Sequence, residues 1–393
     1  MMHYTRIHDS LFSNMSLPTL LTFAKVSKNA RQLVHSYIAK THNIGKQLED
    51  FFTPIEASMF QILQQSNGLI ISGSFALRFF SGQDFGPDSD LDIYVEDRYQ
   101  SRIFDWICSI GYVCTKRTEE YQEQNDAALR LGQQFQHILL RGRDGIARPN
   151  VRGVRANQRP NIWRMGPNVR RNNGAMGANR HPNNRGIGPN LRAVINLERG
   201  GRKIQLIVTH GSPIGIILEY HSTCVMNIIT HDHAYCLYPK ATLLQKRSLV
   251  IYRPGLEEGH SEDALGKYRS RGWTMVKSPP REDASSRWSP FPIGERHVGD
   301  DLCWTIPLSS SPATGDNVIE ANSWGLRQSV VRLGRFVHEY APLKLEALRF
   351  AYVSNARCKR QATILFGRKR SYKEETVSFK DNNLRNMVKC LFR

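Results

Sequence analysis

Residues 69–95, LIISGSFALRFFSGQDFGPDSDLDIYV, carry the pattern that most restricts how this chain can fold. Ile70 and Ile71 predict a short apolar strand that ends at Gly73 and Ser74. The apolar residues of the next segment, FALRFF, recur with helical spacing, so a helix is expected to begin directly after Ser74. The free N–H groups and the positive dipole end of such a helix suit a phosphate, and the glycine lets a ligand approach the backbone closely.

Two aspartates lie close together on the strand that is predicted next. After the turn-forming sequence GPDS, the segment DLDIYV alternates polar and apolar residues with the period of a half-buried strand. Because successive side chains of a strand point to opposite faces, Asp90 and Asp92 are expected on the same face. Mg²⁺ in proteins is typically bound by one or two carboxylates together with substrate phosphates. The two segments together therefore predict a phosphoryl-transfer site.

The strand, the Gly-Ser turn, the helix and the Asp-x-Asp strand resemble the signature of the DNA polymerase beta-like nucleotidyltransferase superfamily. The resemblance implies an α/β fold of the α+β type, with a mixed nucleotidyltransferase-type sheet flanked by helices. It also implies that Gly73 and Ser74 bind the triphosphate of an NTP substrate, and that the catalytic residues Asp90 and Asp92 hold Mg²⁺ or Mn²⁺. The segment between the turn and the aspartates is longer than is usual in the family, and a fortuitous surface strand is the alternative.

The superfamily usually has a third carboxylate on a later strand, where it completes a two-metal site and helps to deprotonate the attacking hydroxyl. Residues 193–197 and 202–209 predict a β-hairpin, and Gln205 occupies the position at which this third acid aligns. An amide cannot accept a proton at neutral pH, so this departure puts catalysis in question. Glu198 and Glu219 are the other carboxylates that could approach the site.

The net charge of +19 is concentrated in one part of the chain. Between Arg141 and Lys203 there are fourteen arginines and one lysine against Asp144 and Glu198, a net +13. The segment 141–192 is rich in Asn, Gly, Arg and Pro and has almost no apolar periodicity, which predicts a disordered low-complexity insertion in the core. Its arginines are suited to electrostatic binding of RNA, whereas a tolerated insertion between two strands is the alternative.

Residues 1–66 are predicted to form an N-terminal helical segment. Apolar residues recur at intervals of three and four between residues 10 and 52. The run LPTLLTFAKVSKNARQLVHSYI resembles an F-box, a helical module that binds an adaptor protein. The alternative is a set of amphipathic helices that pack on the core.

The predicted core spans residues 67–277, and a loop-rich and helical C-terminal region spans residues 278–393. Within the core, the long apolar run 214–229 favours a buried helix. Residues 278–314 are rich in Pro and Ser and predict extended loops, whereas apolar residues between 331 and 350 recur with helical spacing.

Several later stretches, IQLIVT, STCVMNIIT, AYCLYP and GKYRSRGW, resemble a set of uncharacterised fungal proteins that carry this core, many of them with an F-box-like start. Lys267, Arg269 and Arg271 of the last stretch predict a basic rim that would guide a polyanion. Ordinary solvated surface is the alternative for these three residues.

The seven cysteines are scattered without a CxxC pair, which argues against a disulfide framework and against a zinc knuckle. No stretch has the length of apolar sequence that a membrane span requires, and the first residues lack the layout of a signal peptide. A cytoplasmic or nuclear location is therefore expected, without a membrane partner.

Two functions remain open from the sequence. The first is a metal-dependent nucleotidyltransferase that transfers a nucleoside monophosphate from NTP to a hydroxyl of RNA, a small molecule or a protein. The second is a catalytically degenerate nucleotidyltransferase fold that acts as a nucleic-acid-binding or protein-interaction module. In this case, Gln205 in place of the third acid marks the loss of catalysis.

Overall fold

The computed structural model describes residues 2–41, 44–86, 89–118, 190–253, 259–280, 283, 289–308, 318–330, 332–367 and 379–392. These residues belong to one unit of the chain, formed by residues 1–120 and 185–393. Almost all of the predicted insertion 141–192 lies outside the described residues, and its disorder and RNA binding stay predictions.

Helices occupy most of the described chain before the first strand. They are α1 (Met2–Ser13), α2 (Leu17–Phe23), α3 (Lys28–Thr41), α4 (Ile44–Leu48) and α5 (Pro54–Asn67). The Ser16 side chain accepts a hydrogen bond at the start of α2, and Thr53 and Glu56 form a reciprocal capping box at the start of α5. The helical character predicted for this region is therefore present, whereas its likeness to an F-box stays a prediction.

Among the described residues, eight strands form one mixed sheet in the order β11-β7-β6-β1-β2-β5-β4-β3. Their bounds are β1 (Ile70–Ser72), β2 (Leu91–Glu96), β3 (Val113–Thr118), β4 (Leu191–Arg199), β5 (Arg202–Thr209), β6 (Asn227–Ile229), β7 (His233–Cys236) and β11 (Trp304–Pro307). Strands β2 and β5 run parallel, whereas β1 is antiparallel to β2 and β4 is antiparallel to β5. The predicted α+β class, with a mixed sheet flanked by helices, is confirmed.

The two faces of the sheet are covered by different groups of elements. On one face, Ile93 and Leu206 pack in a core that contains apolar residues of α1 to α5, of α6 (Gly73–Ser81) and of α7 (Gln100–Ser109). On the other face, Tyr94 and Ile207 pack with α8 (Pro213–Leu218) and with residues of the C-terminal region. This alternation is the one expected from the strand sequences.

The remaining described elements belong to the second half of the chain. They are β8 (Arg247–Leu249), α9 (Gly259–Ser270), β9 (Thr274–Val276), β10 (Gly294–His297), β12 (Ser323–Gln328), β13 (Phe336–Glu339), β14 (Ala341–Leu343), β15 (Tyr352–Ser354), α10 (Ala356–Phe366) and α11 (Asp381–Leu391). Helices α10 and α11 pack together with the 3-10 turn Val318–Ala321 around a small apolar cluster of their own.

The prediction of one buried helix over residues 214–229 is wrong. The structure has the short helix α8, the 3-10 turn Thr223–Val225 and strand β6 in this range. Polar groups fix the turn, because Asn227 Nδ2 donates to the Cys224 carbonyl at 2.8 Å and Thr223 Oγ1 accepts the Leu249 N–H at 3.0 Å. These elements are buried on all sides, so their apolar residues form a continuous run. Such a run has no period, and it therefore cannot distinguish several short buried elements from one buried helix.

Two predictions for the C-terminal region need correction as well. The range 331–350, in which apolar spacing predicts a helix, contains strands β13 and β14 and the loop that follows them. The segment 278–314 contains strands β10 and β11 in addition to the predicted loops. These strands have only three or four residues each, too few for an alternating pattern to emerge.

A buried ion pair next to β10 gives a testable stability effect. Arg296 is 1% exposed, its Nε and Nη2 donate to the Asp300 carboxylate at 2.5 and 2.9 Å, and its guanidinium lies 5.3 Å from the ring centroid of Tyr238. Burial alone would raise the pKa of Asp300, but the Arg296 charge and hydrogen bonds lower it. Asp300 therefore stabilises the fold in its ionised form.

We expect Asp300→Ala to lower the free energy of unfolding by about 3–5 kcal/mol, because it leaves a buried guanidinium without its counter-charge. Urea denaturation measures this, with the exposed neighbour Asp301→Ala as the matched control. Because the pKa of Asp300 is lower in the folded state, the difference between wild type and variant is present at neutral pH. It should shrink as the pH falls below the ordinary carboxyl pKa of about 4. Equal stabilities of the two variants would contradict the role of this pair.

Candidate active site

The turn between β1 and α6 brings a helix N-terminus directly against a carboxylate. Helix α6 begins at Gly73, two residues earlier than the sequence pattern predicts. Gly73 has φ +67°, and a Cβ at this position would lie 1.9 Å from Asp92 Oδ2. Only glycine fits here, because any side chain would overlap the carboxylate and strain the backbone.

The register of the sheet places a row of polar residues across five strands. Ser72 of β1 pairs with Asp92 of β2, and Asp92 pairs with Gln205 of β5. Gln205 pairs with Asn196 of β4, which pairs with Lys116 of the edge strand β3. Paired residues project from the same face, so this row leads from the Gly73 turn to the exposed edge of the sheet. The sequence analysis missed Asn196 and Lys116, because strand register was needed to align them.

The structure brings together the residues that the sequence analysis selected. Asp90 precedes β2 directly, and the Gln205 Nε2 donates to Asp90 Oδ2 at 3.3 Å. Ser74 Oγ lies 2.9 Å from Ser89 Oγ, which joins the start of α6 to the loop that carries the aspartates. Gln205 is thus adjacent to both aspartates.

The electrostatics of the two aspartates favour a bound cation. Burial, and then the negative charge of Asp90, raise the pKa of Asp92 to about 7, whereas the positive charge of Lys267 opposes this shift. The two carboxylates supply hard oxygen ligands, which suit Mg²⁺ or Mn²⁺. Phosphate oxygens held at the adjacent helix N-terminus would complete the coordination of the ion. In the part of the chain that the structure describes, no group of three or more His, Cys, Asp or Glu residues is gathered for a metal ion.

Helix α9 and the segment after α8 supply further groups beside the aspartates. Lys267 of α9 is exposed and interacts electrostatically with Asp92 and Asp90. Burial, followed by the charge of Asp92, raises the pKa of Tyr220 well above its usual range, and the ring of Tyr220 lies edge-on to Tyr94 at 6.3 Å. Tyr220 therefore lies beside the aspartates.

The basic rim predicted from the sequence divides into residues with different surroundings. Arg269 forms an exposed ion pair with Glu262 at 3.0 Å, and Arg271 stacks on Phe85 with 4.2 Å between the guanidinium carbon and the ring centroid. Lys267 is the member of the rim that interacts with both aspartates.

The two alternative carboxylates have other surroundings. The Glu219 Oε1 accepts a short hydrogen bond from the Tyr340 hydroxyl, and burial raises the pKa of Glu219. Glu198 is exposed and pairs across the hairpin with Lys203, two residues from the Asn196–Gln205 pair. The residue beside the aspartates in the sheet register is therefore Gln205.

Comparisons with protein-family models, with curated proteins and with solved structures find no match for this chain. The described residues include no helix that is long and apolar enough to cross a membrane.

Proposed function

We propose that this protein is a metal-dependent nucleotidyltransferase of the DNA polymerase beta-like type, which transfers a nucleoside monophosphate from NTP to a hydroxyl acceptor. The observation that carries the proposal is the contact between Gly73 and Asp92. It joins a helix N-terminus to a carboxylate that lies next to a second carboxylate, Asp90. A phosphate group and a divalent cation are the two ligands that such a combination suits best.

Each residue has a role that follows from its position. The free backbone N–H groups at the start of α6, at Gly73 and Ser74, hold the triphosphate. Asp90 and Asp92 hold Mg²⁺, which when bound neutralises the phosphate oxygens and orients the α-phosphorus for in-line attack. Lys267 adds a positive charge beside the same phosphates.

The molecule whose hydroxyl accepts the nucleotidyl group is best placed along the row of polar residues that begins at Gln205. From the aspartates, the row continues through Asn196 to Lys116 on the exposed strand β3, and Lys203 lies on the same face. Amides and ammonium groups bind hydroxyl and phosphate groups, which favours RNA among the acceptors considered. Gln205 positions Asp90 through its Nε2, but it cannot take the proton of the attacking hydroxyl.

A catalytically degenerate form of the same fold is the second candidate, and the Gln205–Asp90 hydrogen bond favours it. An amide that donates to one of the metal-binding carboxylates occupies an acceptor site that a cation would otherwise use. Such a protein would bind nucleotide or nucleic acid without turnover.

The test is incubation of the full chain with each α-³²P-labelled NTP, Mg²⁺ or Mn²⁺, and a mixture of RNA and cell extract. Label transferred by the wild type and by the exposed control Asp105→Asn, but not by Asp90→Asn/Asp92→Asn, would support the transferase. The sensitivity of the product to nuclease or protease identifies the acceptor class. Absence of transfer, with retained binding of nucleotide, would support the degenerate form.

We expect Lys267→Met to raise the KM for NTP by about 10- to 100-fold, since a hydrogen bond to a charged group contributes about 1.5–3 kcal/mol. Arg269→Met is the matched control, because Arg269 lies on the same helix and pairs with Glu262. Steady-state kinetics with saturating acceptor measure both variants. The same KM in both would show that Lys267 does not contact the nucleotide.

A further inference from the structure

The aspartate loop, residues 82–90, joins α6 to β2 and carries Asp90 at its end. The structure describes residues 82–86, 89 and 90 of this loop. Within it, the Ser89 N–H donates to the Gly86 carbonyl at 3.4 Å, so the two described parts of the loop are in contact. The position of the loop therefore decides where one of the two candidate metal ligands lies.

Lys246 contacts the aspartate loop from a distant part of the chain. Its Nζ donates to Gln83 Oε1 at 2.8 Å, although 163 positions separate the two residues. The same ammonium lies 4.2 Å from the ring centroid of Trp273, which is a cation–π contact. Trp273 is 2% exposed and its Nε1 donates to the Thr242 carbonyl at 2.9 Å, so the ring that carries the ammonium is itself fixed.

The backbone of Lys246 is strained. Its φ is +50°, and among the residues that the structure describes it is the only one other than glycine with a positive φ. A side chain in this left-handed conformation has an energetic cost that glycine would avoid. Such strain persists where the surrounding contacts determine the conformation, and it clusters at functional sites. The turn Lys240–Leu244 just before it is π-helical, an irregularity that is also frequent at functional sites.

Arg271 makes a second contact with the aspartate loop. Its guanidinium carbon lies 4.2 Å from the ring centroid of Phe85, and Phe85 meets Trp273 edge-on at 6.2 Å. Trp273 also packs in an apolar cluster with Leu77 of α6. The two contacts with the loop therefore share one base, and this base is joined to the helix whose N-terminus lies against Asp92.

We propose that Lys246 and Arg271 are positioning residues that hold the aspartate loop, and with it Asp90, in the geometry that binds the metal ion. Lys246 acts through Gln83, and Arg271 acts through Phe85. Such support matters because the ligands of a site have to be held within about 0.5 Å of the productive geometry. The inference rests on the proposed function for the ligand at Asp90, whereas the hold on the loop can be tested without it.

Hydrogen–deuterium exchange of the full chain tests the hold on the aspartate loop directly. Lys246→Met and Gln83→Leu each remove the same hydrogen bond. Both should raise the exchange rate of peptides that span residues 82–92 by about tenfold, the effect of one hydrogen bond to a charged group. Lys277→Met is the matched control, because Lys277 is exposed and follows β9 directly. Unchanged exchange in Lys246→Met would overturn the proposal, whether or not the protein transfers nucleotides.

Mn²⁺ binding in the presence of a non-hydrolysable NTP analogue tests whether this hold positions Asp90. Electron paramagnetic resonance should show that Lys246→Met and Arg271→Met each bind Mn²⁺ about tenfold more weakly than the wild type. Arg269→Met should bind Mn²⁺ like the wild type, because Arg269 is exposed and pairs with Glu262. Faster exchange of the loop together with Mn²⁺ binding as tight as that of the wild type would overturn the positioning role.

Two further variants separate positioning from general stability. Lys246→Met/Gln83→Leu should bind Mn²⁺ no more weakly than Lys246→Met alone, because both substitutions remove one shared hydrogen bond. Lys246→Gly relieves the strained backbone, so it should melt at or above the temperature of Lys246→Met and yet bind Mn²⁺ as weakly. Wild-type Mn²⁺ affinity in Lys246→Gly would overturn the proposal. A folded wild type that binds no Mn²⁺ would instead overturn the proposed function, and with it the role of the loop in metal binding.

Discussion

Gly73→Ala is expected to reduce nucleotide transfer by about 100-fold or more, because displacement of a catalytic group by 1 Å is enough to cost this factor. The new Cβ would lie 1.9 Å from Asp92 Oδ2, so the carboxylate has to move away from the metal position. The backbone at φ +67° adds a cost of about 1–2 kcal/mol in stability, which is general for a non-glycine residue in this conformation. Transfer kinetics and thermal denaturation measure the two effects separately.

Gly82→Ala is the matched control for this substitution. Gly82 ends helix α6 with φ +66°, and a Cβ there would meet no atom within 4 Å. Both variants should therefore lose the stability that a positive φ costs, Gly73→Ala should lose more because its Cβ displaces the Asp92 carboxylate, and only Gly73→Ala should lose transfer. Equal transfer by the two variants would show that the contact with Asp92 has no catalytic role.

Gln205→Glu is expected to raise the rate of transfer by about 10²- to 10⁴-fold, the usual contribution of a positioned general base. The side chains of Gln and Glu have the same shape, and the register places residue 205 beside Asp92. A carboxylate here can accept the proton of the attacking hydroxyl and can bind a second metal ion. The measurement is kcat at saturating NTP and Mg²⁺.

Asn196→Asp provides the control, since Asn196 is the next amide in the same row and lies one strand farther from Asp92. It should change kcat little. A Gln205→Glu variant that is no faster than the wild type would mean that residue 205 does not occupy the general-base position. In that case, the presence of Gln instead of Glu at position 205 would not be the reason for a low transferase activity.

The elements around the aspartates were predictable because their signals are local. A strand, a glycine turn and a helix follow one another directly from β1 to α6, and the Asp-x-Asp alternation marks β2. The hairpin of β4 and β5 was predictable for the same reason, because a Gly-Gly turn joins two alternating segments. Its two glycines, Gly200 and Gly201, have φ values of +55° and +78° in the structure.

Other parts of the site depend on contacts between distant residues, and no local pattern encodes such contacts. Lys267 interacts with Asp92 although 175 positions separate them, and Asn196 and Lys116 join the polar row through strand register. The run 214–229 was misassigned because burial on all sides removes the periodicity that distinguishes strands from helices.

The central claim is that Asp90 and Asp92, together with the Gly73 turn, hold a metal ion and a nucleoside triphosphate. The most direct measurement is titration of Mn²⁺ with a non-hydrolysable analogue of each NTP, in which electron paramagnetic resonance reports the free metal. We expect the wild type and Asp105→Asn to bind Mn²⁺ more tightly when the analogue is present, and Asp90→Asn/Asp92→Asn to lose this binding. Equal binding by the double variant, or no binding by a folded wild type, would contradict the claim.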